Sequence, residues 1–194
     1  MAIYIRFLFF LFLIACFAGC SKNEAIIEGK VPDASYDKEV VYLVPLKDAT
    51  KETVDSTFIH NSRFRFKIKP EKQNQVFILR VKPMLRLYMQ QLLVVTEPGT
   101  TFVTLGAPSS GSGTPLNETL QQWKDKKFIY DSTYYTLRKK AIKETDETEK
   151  ARLQSEADEI AKEYQAYADS LVEKNKDNAV GKFIESLPNN YSQK

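Results

Sequence analysis

From Ala25 onward, short runs rich in Val, Ile, Tyr and Phe are separated by Pro, Asp, Asn, Lys and Gly, which is how β-strands and their turns are spelled. The runs predict strands near Ala25 to Val31, Glu39 to Pro45, Thr53 to His60, Arg63 to Ile68, Gln75 to Pro83, Leu92 to Thr96 and Thr101 to Leu105. The clearest period of two puts Phe64, Phe66 and Ile68 on one face and Arg63, Arg65 and Lys67 on the other, so one face is buried and the other wet. Asn61-Ser62 predicts a two-residue hairpin turn, because Asn tolerates positive φ. In Glu97-Pro98-Gly99, Pro fixes the first central residue of a type II turn and Gly supplies the positive φ of the next, so the flanking strands are expected to pair.

Segment 107–115 is rich in Ser and Gly and reads as a linker or long loop, a composition with nothing to bury. Beyond it the apolar period becomes helical. Leu116, Leu120, Trp123, Tyr130, Tyr134, Leu137 and Ala141 recur at spacings near three and four, interrupted by Lys127. After the polar stretch Lys143 to Glu149, Leu153, Ala157, Ile160, Tyr164, Tyr167 or Ala168, and Leu171 resume the spacing, which predicts a helical hairpin over 116–175. Segment 176–194 reads as a cap and tail. The expected architecture is α+β: an antiparallel β-sandwich or open barrel of about seven strands over 25–106, followed by an antiparallel helical hairpin.

The first residues follow a different pattern. Met1 to Arg6 carries one positive charge and Phe7 to Phe17 is densely apolar, but Ser21, Lys22, Asn23 and Glu24 follow too soon for a spanning helix of about 20 apolar residues. Residues 1–19 therefore read as a signal peptide and 20–24 as a polar tether. Phe17-Ala18-Gly19-Cys20 resembles the bacterial lipobox, in which small residues precede a cysteine that is acylated, so Cys20 is the expected lipidation site. The alternative is a plain secretory signal that happens to contain a cysteine.

The chain has two cysteines, and Cys16 would leave with the signal. A lipidated Cys20 leaves the mature chain no thiol, which excludes a disulfide, a thiolate nucleophile and a cysteine metal site. The formal charge of +3 falls with removal of Arg6, and no basic block with interleaved aromatics stands out in the first half of the mature chain, which argues against nucleic acid.

Candidate chemistry is sparse. His60 is the single histidine, with Asp55, Ser56 and Ser62 near it in sequence. A hydrolase triad needs a base oriented by a third group, whereas strand and turn polarity account for these residues. Glu144, Asp146, Glu147 and Glu149 offer oxygen ligands without the glycine of a calcium loop, and read as a solvated turn. Lys124, Lys126, Lys127, Arg138, Lys139, Lys140 and Lys143 suit anionic headgroups or an acidic partner, with a solvated helix face as the default. Trp123, Tyr130, Tyr134, Tyr164 and Tyr167 suit a ligand surface, with packing between helices as the default. No catalytic residue, metal ligand or cofactor is expected.

Several segments together resemble the N-terminal domain of unknown function that precedes thioredoxin-like thiol-disulfide oxidoreductase domains in envelope lipoproteins of Bacteroidota. They are Ile27-Glu28-Gly29-Lys30-Val31, Val41-Tyr42-Leu43, Val54-Asp55-Ser56 with Asn61-Ser62-Arg63-Phe64-Arg65-Phe66, Glu97-Pro98-Gly99, and Gly113-Thr114-Pro115-Leu116-Asn117. The resemblance covers about Glu24 to Trp123, and Asn175 to Gly181 is similar to the connector that precedes the oxidoreductase in those proteins. It implies an antiparallel β domain beside a membrane with a binding or positioning role. It carries over no thiol activity, since no Cys-x-x-Cys exists here. The expectation is a lipid-anchored, non-catalytic binding or adaptor protein, periplasm-facing or at the cell surface, with an envelope protein or small ligand as partner. The alternative is an accessory or truncated member of the oxidoreductase lipoproteins, acting with a separate redox enzyme.

Overall fold

A computed structural model of the chain describes residues 23–47, 49–188 and 191. The expected signal peptide, Cys20 and most of the tether lie outside the described residues. Eight strands form two sheets. Strands β1 (Ala25–Lys30), β2 (Val40–Pro45), β3 (Asp55–Phe58) and β4 (Arg63–Ile68) are followed by β5 (Val76–Val81), β6 (Leu92–Val95), β7 (Gly99–Thr104) and β8 (Ser110–Ser112). The first sheet runs β4-β1-β7-β8 and the second β3-β2-β5-β6. Every pairing is antiparallel except β1 with β7, which lie parallel with Ala25 opposite Gly99 and Lys30 opposite Thr104.

Phe64, Phe66 and Ile68 are buried while Arg63, Arg65 and Lys67 are exposed, as the period of two requires. They meet Ile27 and Val103 from their own sheet and Val41, Leu43, Phe77, Leu79, Leu92 and Val94 from the other. Gly29 sits opposite Phe64 in the β1–β4 register. The Phe64 ring lies over it so closely that a Cβ on residue 29 would fall 1.9 Å from the ring.

The Asn61-Ser62 turn forms, with φ of 49° and 59° and paired backbone hydrogen bonds between His60 and Arg63 at 2.8 and 3.0 Å. The flanking strands do not run on as a hairpin ladder. After the single His60–Arg63 bridge, β3 enters one sheet and β4 the other, so the turn is a corner closing one side of the sandwich. The expected pairing of the strands around Glu97-Pro98-Gly99 is also corrected. Gly99 has the predicted positive φ, 113°, but its N–H donates to the Glu24 carbonyl at 2.8 Å, and the link carries the chain from β6 in one sheet to β7 in the other.

Segment 107–115, expected as a linker, contains β8, paired with β7 through Val103 opposite Gly111. Ser109 and Gly111 are buried, so small residues here do pack: Ser109 Oγ bonds the Gly106 N–H and the Gln90 carbonyl, and Gly111 lies in the β7 pairing under Gln121.

Three helices follow: α1 (Pro115–Lys143), α2 (Glu147–Asn175) and α3 (Ala179–Glu185). The first two form the predicted hairpin; Asp146 accepts from the Glu149 N–H at 2.9 Å to cap α2, and Glu149 and Arg152 pair on its first turns. β6 reads Leu-Leu-Val-Val without alternation because both its faces are covered. Leu92 and Val94 enter the sandwich, while Leu93 and Val95 join Leu120, Trp123, Tyr164, Val180 and Ile184 in a second core beneath the helices.

Helix α1 is fixed to the sandwich by buried polar groups. The Glu97 carboxylate accepts from the backbone N–H of Leu116 at 2.7 Å and of Asn117 at 3.1 Å. It serves as the cap of a helix whose own Thr114 makes no side-chain capping bond, and a carboxylate is favoured at that end of the helix dipole. Asn117 Oδ1 accepts from the Val95 N–H at 2.8 Å and its Nδ2 donates to the Val95 carbonyl at 2.7 Å, so one side chain completes the edge of β6 as a neighbouring strand would. Nδ2 also meets the Thr114 and Thr101 hydroxyls at 2.9 and 3.0 Å.

Asn117→Ala is expected to lower unfolding free energy by about 2–4 kcal/mol, since it leaves both polar groups of Val95 buried without partners; urea denaturation measures this. Gly29→Ala, which forces the Phe64 ring out of its place, is expected to cost about 3 kcal/mol in the same assay, and an unchanged urea midpoint would show that the ring can move freely.

Candidate binding cleft

One face of α1 begins at Asn117 and continues through Gln121, Lys124 and Phe128 at helical spacing. Asn117 and Gln121 lie over the sandwich edge; Gln121 Oε1 accepts from the buried Gly111 N–H of β8 at 3.1 Å. Two turns further, the same face runs past the end of β8, and α1 faces the loop 106–110 across a cleft of 840 Å³. That size is ordinary for a small-molecule site, about 300–1,000 Å³.

The opposite wall is braced. Ser109 Oγ donates to the Gln90 carbonyl at 2.8 Å and accepts from the Gly106 N–H at 2.9 Å, and the Gln90 N–H donates to the Gly106 carbonyl at 2.8 Å. Ala107, Pro108, Trp123, Phe128 and Ile129 give the cleft apolar walls. Phe128 and Ile129 are large and well exposed, at 73% and 61%. Trp123 is only 4% exposed, and its indole N–H has no acceptor among the described residues.

The charges of the cleft are unequally committed. Asp125 accepts from Gln121 Nε2 at 2.8 Å, and Asp131 is held by Lys127 at 2.8 Å and by the Tyr191 hydroxyl. Burial and the bond to Asp131 push the Tyr191 phenol up. Lys124 has only Gln121 Oε1, at 3.1 Å, and no carboxylate within 4.0 Å among the described residues. Burial pushes its ammonium down to about 8, with Asp125 opposing weakly.

Of the residues singled out from the sequence, Trp123, Lys124 and Lys127 line the cleft, whereas the candidate triad and the acidic cluster fall elsewhere. His60 is exposed, with its ring 6.5 Å from Phe58. Asp55 pairs with Lys72 at 2.9 Å at the start of β3, and the Ser62 N–H is held by Asp37 at 2.8 Å. No triad is assembled from them. Glu144 accepts from the Thr145 and Asp146 N–H groups and Glu147 pairs with Lys150, so the acidic residues satisfy the interhelical turn. Among the described residues no group of three or more His, Cys, Asp or Glu is placed to hold a metal ion.

The aromatic stripe packs between helices, with Tyr130 5.6 Å from Tyr164 and 6.2 Å from Tyr167. Lys126 lies over Tyr167 at 4.6 Å and Lys127 over Tyr164 at 5.1 Å. Sequence reasoning grouped Lys124 with these and missed its separation from them; its place one turn beyond Gln121 on the Asn117 face was the available signal. Glu97 and Asn117 stood in recognised segments without an assigned role.

The fold and its lock define an α+β protein: a two-sheet sandwich whose open side is sealed by a long helix. Residues 25–120 are a domain of unknown function, the DUF4369 family, matched from the first residue of β1 to the second turn of α1. No curated protein and no solved structure matches the chain. The family segment contains Glu97 and Asn117 and ends just before Gln121, so the helical wall of the cleft lies beyond it. Among the described residues no helix is long and apolar enough to cross a membrane.

A lysine that binds its proton less tightly when folded makes folding release a proton between about 8 and the ordinary 10.5. Stability therefore rises with pH through that window. Relative to Lys124→Met, the wild-type chain is expected to gain on the order of 1 kcal/mol between pH 7 and pH 10 after solvent screening. Parallel urea curves for the two proteins at both pH values test this; a constant difference would place Lys124 in open water.

Proposed function

We propose that this protein is a lipid-anchored, non-catalytic binding module of the bacterial cell envelope that presents the α1 cleft away from the membrane. The observation that carries the reading is the placement of the two ends. The described chain begins where Gln73 Nε2 donates to the Asn23 carbonyl and Lys67 pairs with Glu24, beside Ala25, Ile68 and Gly99. Gln90 and the loop 106–110 lie at the other end of the strands, past Lys30 and Thr104.

A tether over 20–24 spans at most about 17 Å. With a lipid on Cys20 it would hold the first end of the sandwich close to the bilayer. Helix α1 starts beside Val95 and runs toward the cleft end, and its 29 residues extend about 43 Å. The cleft and the hairpin tip would then face the envelope space. The pairing of Asp55 with Lys72 and the commitment of the acidic residues to their own turn support a binding role over catalysis.

The test uses intact cells. The wild-type chain is expected in the membrane fraction, and Cys20→Ala in the soluble fraction or with unprocessed mobility. A photo-crosslinker at Phe128 is expected to capture more than one at Arg65, on the outer face of β4. Retention of an unchanged Cys20→Ala at the membrane overturns the anchor, and equal capture at the two positions overturns the cleft as the binding surface. Capture of a thioredoxin-like oxidoreductase at Phe128 transfers the assignment to the accessory reading.

A further inference from the structure

We propose that the α1 cleft binds a small amphiphilic monoanion, an apolar body ending in a carboxylate, with the charge on Lys124 and the body against Trp123, Phe128 and Pro108. This rests on the cleft being the binding surface and adds the chemistry of its ligand.

The cleft supplies a large apolar lining and, among the described residues, one cation without a carboxylate partner. Phe128 and Ile129 are set beside that cation on the same helix and spend most of their surface in water. Lys124 is half-buried with a single neutral hydrogen-bond partner, and a carboxylate delivered to it would supply the charge-assisted bonds the protein withholds. Its weakened hold on the proton has that same origin, burial that the nearby Asp125 offsets only in part.

The neighbouring charges set the ligand's valence. Asp125 is occupied by Gln121, and Asp131 by Lys127 and Tyr191, so among the described residues Lys124 is left without a carboxylate partner. With Asp125 and Asp131 also lining the cleft and Lys127 paired to Asp131, the single ammonium of Lys124 favours a singly charged group and disfavours a phosphate dianion. The braced loop around Ser109 bounds the far side, so the space fits a compact molecule better than an extended segment of another protein.

The chain's one tryptophan lines this cleft, so intrinsic fluorescence reads binding there directly. The full-length lipidated protein, in a non-ionic detergent, is titrated with 4-phenylbutanoate, 4-phenylbutan-1-ol and 4-phenylbutylammonium. These share an apolar body and differ in charge. The carboxylate is expected to give a saturable change and to bind at least about tenfold more tightly than the other two. Lys124→Met, which removes a half-buried charge and should fold at least as well, is expected to erase that preference. Phe128→Ser is expected to weaken the carboxylate with its preference over the alcohol retained.

Affinity for the carboxylate is expected to fall as pH rises from 7 to 9 and Lys124 loses its proton; Asp125, Asp131 and the Asp131-paired Lys127 are the other charged groups lining the cleft. Equal binding of the carboxylate and the alcohol, with no effect of Lys124→Met, overturns the ligand class while leaving a binding cleft in place. No change with any of the three overturns the ligand class as well, and the crosslinking at Phe128 then decides separately whether the cleft is a binding surface.

Discussion

The structure turns on how the first turn of α1 meets the sandwich. A helix begins with backbone N–H groups that have no partner within it, and here they are delivered to a buried place beside β6. The Glu97 carboxylate accepts two of them, and the Asn117 amide returns both backbone bonds of Val95. Two difficulties cancel: an unfinished helix end and an unfinished sheet edge satisfy each other. The helix also covers β8 through Gln121, so it seals the side of the sandwich that the His60–Arg63 corner leaves open. Because one residue of slip turns a helix by about 100°, holding Asn117 in register also decides that Leu120 and Trp123 face the core and that Lys124 and Phe128 face the cleft.

What the sequence disclosed followed from burial on one face. Arg63 to Ile68 alternates because one side is wet, and the hairpin helices keep their spacing because one stripe of each is covered. Turn chemistry was legible at Asn61-Ser62 and Gly99, yet it specifies only local dihedrals and not the sheet each strand joins. That choice rests on contacts far apart in the chain, such as Gly99 with Glu24. β8 was hidden because its contribution is made by backbone and by the absence of side chains, and composition reads that absence as a linker. The lock was hidden for a related reason: Glu97 and Asn117 were visible as residues, but they stand 20 positions apart, with β7 and β8 between them.

Lys127 shows how a departure from pattern can be resolved by the fold. It breaks the apolar stripe of α1, and the structure keeps it inside by pairing it with Asp131 and laying it against Tyr164 and Tyr191. A buried charge is tolerable when it is paired and hydrogen-bonded. Lys126 is likewise spread over the Tyr167 ring. Lys124 differs because, among the described residues, its hydrogen-bond partner is the neutral Gln121 and no carboxylate lies within 4.0 Å. Three lysines within one turn thus have different meanings, which residue type and spacing on α1 could not separate.

The division of labour along α1 bears on how binding could change without loss of the fold. Leu120 and Trp123 are enclosed, so substitutions there leave cavities whose cost is typically about 2–5 kcal/mol. Phe128 and Ile129 are mostly in water and Lys124 is only half-buried, so replacing them alters the cleft with little effect on packing. The sandwich and the lock lie within the family segment 25–120, whereas the helical wall of the cleft begins beyond it. The rigid part therefore supplies one wall of the cleft, at Gln90 and 107–110, and positions a helical wall that it does not itself compose. In the proposed function this separation is what an anchored binding module needs: the platform and its attachment stay constant, and selectivity for a ligand resides in a few side chains on one exposed helical face.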